Sequence, residues 1–168
     1  KTEQDVLKDA GKLTFANGDP NSTSGNLVPG YYVFAKNNVD ATKIFKRTLN
    51  ANHESNAMAV ANKQVDVGTF NTEGWAMMEK KNPDIVKKLK IVWKSPEIPS
   101  DPLVWRKDMD DASKQKIKTF LMSYGSTPEE KKVLDALGWS KFRESNNEQL
   151  KPIRELEEFK KQAAAKAA

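Results

Sequence analysis

Apolar side chains fall in short, separated runs along this chain, and their spacing changes from run to run. Residues 2–10 (TEQDVLKDA) carry a short helical pattern that Gly11 ends. Residues 13–16 (LTFA) form a brief apolar run of the kind a buried strand shows. A turn-rich stretch, Asn17-Gly18-Asp19-Pro20-Asn21, leads to Ser22-Thr23-Ser24-Gly25. The following run, NLVPGYYVFAK, has apolar residues at 27, 28, 31, 32, 34 and 35, close to helical spacing. Pro29-Gly30 lies inside it, and both residues disfavour a regular helix interior. The pattern next predicts a short helix over 40–46, a strand over 47–50, a helix over 54–63, a strand over 65–70 and a helix over 72–81. Asn82-Pro83 supplies a cap and a first-turn proline for a further turn over 84–88. Residues 91–94 (IVWK) read as a strand.

The character of the chain then shifts. Residues 95–102 (SPEIPSDP) hold three prolines and read as a stiff, extended segment before another strand over 103–106. Helical punctuation dominates after that. Asp110 or Asp111 caps a helix running to Tyr124, and Gly125 stands beyond its end. Thr127-Pro128-Glu129-Glu130 is a capping box with proline at the first position, and its helix stops at Gly138. Pro152 opens a last helix that trails into an alanine-rich tail. The first hundred residues thus alternate strand and helix, the signature of βαβ units in an α/β fold with a mainly parallel sheet.

Composition narrows the function classes. There is no cysteine, which excludes disulfides and thiolate chemistry, and a single histidine, His53, which excludes a multi-histidine metal site. The net charge of +5 is spread evenly: residues 12–105 carry 12 basic and 9 acidic side chains. Nucleic-acid binders concentrate basic charge on one face or arm, so no nucleic-acid partner is expected. No apolar run approaches the roughly 20 residues of a membrane span. The opening KTEQDVLKD lacks the pattern of a secretory signal, so an exported protein would already have lost one.

The stretch Gly18-Asp19-Pro20-Asn21-Ser22-Thr23-Ser24-Gly25 lies between an expected strand and an expected helix. A helix start offers unpaired N–H groups and the positive end of the helix dipole, a ready anion site. Three successive hydroxyls add donors without adding charge. The same residues also make an ordinary capped turn, since Ser, Thr and Asn are favoured caps. No lysine follows the second glycine, so this is not a P-loop, and the dinucleotide fingerprint is absent. His53 occupies the same position one βα unit later, and the carboxyl ends of neighbouring parallel strands share one crevice. Glu73 and Asp101 also lie near expected strand ends, where two carboxylates would suit a ligand amine. Capping for Glu73 and a turn for Asp101 are the plainer alternatives. A catalytic triad can be assembled from Ser22 or Ser24 with His53 and Asp101, but no GxSxG elbow supports it. The four tryptophans are dispersed and read as packing residues.

Several long strings carry a resemblance: TFANGDPNSTSGNLVPGYYVFAKNN (14–38), ANHESNAMAVANKQVDV (51–67), FNTEG (70–74), WKSPEIPSDPLVWRK (93–107) and YGSTPEEKKVLDALGW (124–139). Together they make the chain resemble the periplasmic phosphonate-binding proteins of phosphonate ABC transporters along essentially its whole length. The resemblance implies a clamshell binding-protein fold of type II, with one βα lobe and C-terminal helices represented here. Residues 1–11 would be an N-terminal helix and crossover, 12–93 the second ligand-binding lobe and 94–102 the hinge crossover. Residues 103–168 would be a strand and helices packing on a first lobe that has no counterpart in this chain. Apolar surface is therefore expected on helices 112–124 and 128–137.

The resemblance also implies roles. Ser22, Thr23, Ser24 and His53 match the group that holds the phosphonate oxygens, and Glu73 and Asp101 match the carboxylates that hold the ammonium of 2-aminoethylphosphonate. The implied activity is non-enzymatic capture of a phosphonate in the periplasm and its delivery to the membrane permease. It needs no cofactor and no metal, and the chain would act as a monomer or a homodimer. Two rivals remain at this stage: a hydrolase acting on phosphorylated or phosphonate substrates, and an interaction module built on the helical C-terminal part.

Overall fold

The structure, a computed structural model, describes residues 1–167. It divides into two compact units, one of Lys1–Ile98 joined by the terminal helix from Pro152 onward, the other of Pro99–Lys151.

In the first unit, α1 (Glu3–Asp9) starts from a reciprocal capping box between Thr2 and Asp5. The unit is organised around three parallel strands: β1 (Thr14–Gly18), β2 (Arg47–Ala51) and β3 (Val67–Gly68). The order is β2-β1-β3, with Gly18 opposite Ala51 and Ala16 opposite Gly68. β1 is the central strand, and its burial explains the apolar run that marks it. Phe15, almost fully buried, stacks on Phe45 at 4.6 Å between ring centroids and meets Phe34 edge-on at 5.5 Å. Burying one such ring contributes about 1.5–3 kcal/mol. Between the strands lie α2 (Ala41–Ile44) and α3 (His53–Ala61), and beyond β3 come α4 (Thr72–Lys81) and α5 (Pro83–Val86). Each of α2, α3 and α4 is capped by an Asx side chain, from Asp40, Asn52 and Asn71 respectively.

The apolar run after Gly25 is helical but not regularly so. Wide π-helical turns span Thr23–Leu27 and Gly30–Phe34, and a 3-10 turn, Ala35–Asn37, closes the segment. Pro29 has no N–H to give to the carbonyl four residues back, so the ordinary ladder is interrupted there. The inner side of this segment meets the terminal helix. Leu27 and Val28 are buried against Leu156, with Tyr31, Tyr32, Trp93, Ile98 and Ile153 around them.

Two expected strands do not form. Residues 91–94 and 103–106 have no ladder partner among the described residues and run as coil. A strand exists only by pairing, and Trp93 is instead held by packing against the Leu27–Val28 cluster. The strand expected over 65–70 shortens to Val67–Gly68, and the Thr69 N–H makes a last bond to the Ala16 carbonyl of β1 before the chain leaves the sheet.

The second unit holds α6 (Asp111–Ser123) and α7 (Pro128–Leu137), with α8 (Lys151–Ala167) beginning at its end. The Glu130 carboxylate accepts from the backbone N–H groups of Gly125, Ser126 and Thr127, which fixes the turn between α6 and α7. Those three donors hold its carboxyl below the usual glutamate range. Leu134 is the buried centre of the unit, whereas Ile117, Phe120 and Met122 of α6 and Val133 and Leu137 of α7 are exposed, as expected for these helices.

Candidate functional site

In a parallel sheet the segments that leave the carboxyl ends of neighbouring strands emerge side by side. Here β1 ends at Gly18 and leads to Ser22, Thr23 and Ser24. β2 ends at Ala51 and leads straight to His53. β3 ends at Gly68 and leads to Glu73. Five of the six residues singled out in the sequence therefore stand at one edge of one sheet. Asp101 belongs to the second unit, where it is exposed in coil.

The contact that joins the first two segments runs from Ser24 Oγ to His53 Nε2, at 3.1 Å, with the donor set by the ring tautomer. His53 is the first residue of α3 and is half-buried. Phe70 flanks its ring at 6.2 Å between centroids. Burial lowers the imidazole pKa from its ordinary value, and the nearby charge of Glu73 opposes that shift only in part. The ring in the free protein is thus biased towards its neutral form. Its second nitrogen, Nδ1, is buried with no hydrogen-bond partner.

Ser22 caps the helical segment: its Oγ accepts from the Gly25 N–H at 3.1 Å. Asn26 and Leu27 both donate from their backbone N–H to the Ser22 carbonyl, which winds the first turn wide. Amides in the first turn of a helix have no carbonyl four residues back, so this start presents donors outward. Thr23 and Ser24 are partly exposed and add hydroxyls at the same place.

Two glycines allow the loop to close. A Cβ on Gly18 would lie 2.4 Å from the carbonyl carbon of Gly25, nearer than any real side chain comes. The end of β1 and the start of the helical segment touch backbone to backbone. The Asn26 amide, donating to the Gly18 carbonyl at 3.0 Å, seals the same contact. From the far side, Lys160 of α8 donates to the Pro20 carbonyl at 3.2 Å.

Glu73 is the second residue of α4, which Asn71 caps through the Gly74 N–H at 3.0 Å. Its carboxylate is exposed and is touched by the Thr72 hydroxyl at 3.4 Å. Among the described residues no cluster of three or more acidic or histidine side chains could hold a metal ion.

Sequence reasoning missed one buried polar residue here. Asn56 lies one turn beyond His53 on α3, with 1% of its surface exposed, and its amide donates to the Asn17 carbonyl at 3.0 Å and the Thr69 carbonyl at 3.3 Å. The available signal was a polar residue on the inward face of an alanine-rich helix.

Comparison with known proteins identifies the family and the fold. Residues 2–150 match the family model described as the periplasmic substrate-binding protein of a phosphonate ABC transporter. A phosphonates-binding periplasmic protein of Escherichia coli is 58% identical, over 97% of this chain and 48% of its own length. A probable phosphite-binding protein of an ABC transporter from Prochlorococcus marinus is 26% identical, over 89% of this chain and 52% of its own. Among solved structures, a binding component of an ABC phosphonate transporter from Pseudomonas aeruginosa superposes with a TM-score of 0.89 at 61% identity, covering 95% of this chain and 53% of that one. A Prochlorococcus marinus protein, in complex with methylphosphonate, gives a TM-score of 0.77 at 24% identity, covering 93% and 59%, and shares the fold. The chain therefore spans about half the length of the relatives it matches.

Proposed function

Since the chain belongs to the family of periplasmic substrate-binding proteins of phosphonate ABC transporters, we propose that it contributes one half of a phosphonate-binding site and that the whole protein hands its ligand to a membrane permease. The observation that carries this reading is the Ser24–His53 contact, which joins the segments leaving β1 and β2 around a hydroxyl-rich helix start. A phosphonate dianion set there would accept from the Ser22, Thr23 and Ser24 hydroxyls, from first-turn amides and from the His53 ring. Spreading the charge over many neutral donors holds a dianion without a buried lysine or arginine. His53 keeps an N–H to donate even when neutral, so it serves as a donor in either charge state.

The preferred ligand in this proposal is 2-aminoethylphosphonate, whose ammonium pairs with Glu73 and Asp101. An anion without an amine would leave those carboxylates without their counter-charge, which costs affinity and gives selectivity. Residues 12–93 act as the second lobe of a clamshell, 94–102 as the hinge crossover, and 103–151 pack on a first lobe; the terminal helix from Pro152, also expected there, is instead joined to the first unit through Leu156. The exposed apolar faces of α6 and α7 support the assignment of 103–151.

The same Ser24–His53 pair has the geometry of a nucleophile and its base, which is the observation a hydrolase reading would use. Such a base needs a third group to orient it, and His53 Nδ1 has no hydrogen-bond partner. The relatives are likewise described as binding components.

Glu73→Gln separates the roles. Affinity for 2-aminoethylphosphonate should fall about tenfold, roughly the 1.4 kcal/mol of one charge-assisted contact, while affinity for methylphosphonate holds. Equal losses for the two ligands would remove the ammonium role. Release of inorganic phosphate from either ligand would restore the enzyme reading.

A further inference from the structure

The geometry points to Asn56 as a positioning residue for the site: its carboxamide ties the ends of β1 and β3 to α3, and so holds His53 in register with Ser24. This rests on the proposed site, but it is carried by different atoms. The side chain is buried to within 1% of its surface. It spends its amide donors on two main-chain carbonyls, of Asn17 at 3.0 Å and Thr69 at 3.3 Å, and a longer 3.5 Å contact reaches the Thr69 hydroxyl. Two acceptors on one side also settle which end of the carboxamide is the amine, since the opposite assignment would set oxygen against oxygen.

The placement of those carbonyls gives the contact its consequence. Asn17 is the last residue but one of β1, immediately before Gly18 closes on Gly25. Thr69 is the first residue beyond β3; its N–H still donates to the Ala16 carbonyl at 3.1 Å, and Phe70 follows it against the His53 ring. Asn56 sits three residues after His53, on the same short helix. One side chain therefore ties His53's own helix to the two strands whose outgoing segments face the ring. Ser24 lies at the far end of the loop that leaves β1, so its 3.1 Å contact with His53 spans a gap that this tie sets.

The alternative is that Asn56 merely satisfies buried carbonyls and adds stability. A double-mutant cycle tells the two apart. His53 is the only histidine in the sequence, so in an untagged chain its ring Hε1 proton is a single, unambiguous NMR signal. Asn56→Leu keeps the volume and removes the donors. Ser24→Ala removes the other end of the His53 contact. Phe34→Leu, in the aromatic cluster around Phe15, supplies a loss of stability that leaves the tie intact.

If Asn56 positions His53, Asn56→Leu returns the His53 titration midpoint towards that of an exposed histidine, and adding Ser24→Ala then changes it little further. Methylphosphonate affinity falls about tenfold in Asn56→Leu and is likewise non-additive with Ser24→Ala, as expected for groups acting as one unit. Phe34→Leu leaves the midpoint where it was. Additive effects of Asn56→Leu and Ser24→Ala on the midpoint, or an equal midpoint change in Phe34→Leu, would overturn the assignment. Should Asn56→Leu fail to fold, Asn56→Ser is read by the same criteria. The midpoint is measured without ligand. A non-additive midpoint with no methylphosphonate binding in the unmodified chain would therefore reject the ligand reading and leave the positioning role standing.

Discussion

At the scale of single residues, the site depends on close approaches that admit no spare atoms. Gly18 does not need a left-handed backbone; among the described residues the glycines with positive φ are Gly125 and Gly138. It needs room, because its Cβ would fall on the Gly25 main chain. Gly18→Ala should therefore push the loop away from the helix start and lower phosphonate affinity at least about tenfold, a loss of roughly 1.4 kcal/mol by calorimetry, while far-UV circular dichroism stays unchanged. His53 gives a second test. Its pKa is lowered in the folded chain by burial, so the unfolded chain takes up its proton first as pH falls. Stability is then complete above the ordinary histidine value of about 6.5 and declines as pH drops through that value towards the lower folded one. Urea midpoints measured between about pH 7 and 5 should show this slope, and His53→Asn should flatten it. The carboxylates held low, Asp40 and Asp66 among them, lose their contribution only as pH falls below the ordinary aspartate value, outside the range of that measurement.

At the scale of elements, the helical segment that bears the hydroxyls is held from behind. Leu156 of α8 is buried against Leu27 and Val28, and Lys160 reaches the Pro20 carbonyl. Leu156→Ala should cost about 2–4 kcal/mol in denaturant unfolding, the usual range for a buried leucine truncated in a packed cluster, and should broaden the NMR signals of residues 19–24. Much of this frame was legible beforehand. Strand–helix alternation gave the parallel sheet, the apolar pattern placed α3 and α4, and the capping residues placed α6 and α7, all to within a residue or two. The strands expected at 91–94 and 103–106 do not form because an apolar run supplies no ladder partner: Trp93 is partly buried against the Leu27–Val28–Leu156 cluster, and Leu103, Val104 and Trp105 are exposed. The π-helical winding was signalled only by Pro29-Gly30, which marks an interruption without saying what form it takes. Ser22, Thr23, Ser24, His53 and Glu73 could be chosen because each follows an expected strand end. Asn56 could not, since its value lies in two distant main-chain carbonyls that only the folded chain brings within reach.

At the scale of the whole molecule, the first unit gathers its chemistry along one sheet edge, while the second exposes apolar side chains on both of its longer helices. The chain spans about half of its relatives, so the question for the whole molecule is how much of the cradle these residues supply by themselves. Phosphorus NMR titration with 2-aminoethylphosphonate answers it most directly, because it detects binding as weak as about millimolar, near −4 kcal/mol. A cradle preformed within these residues should give a saturable ligand shift that is lost in the Thr23→Ala, His53→Ala double variant and is weaker for inorganic phosphate. A shift that survives the double variant unchanged, or no shift for the unmodified chain, would contradict it.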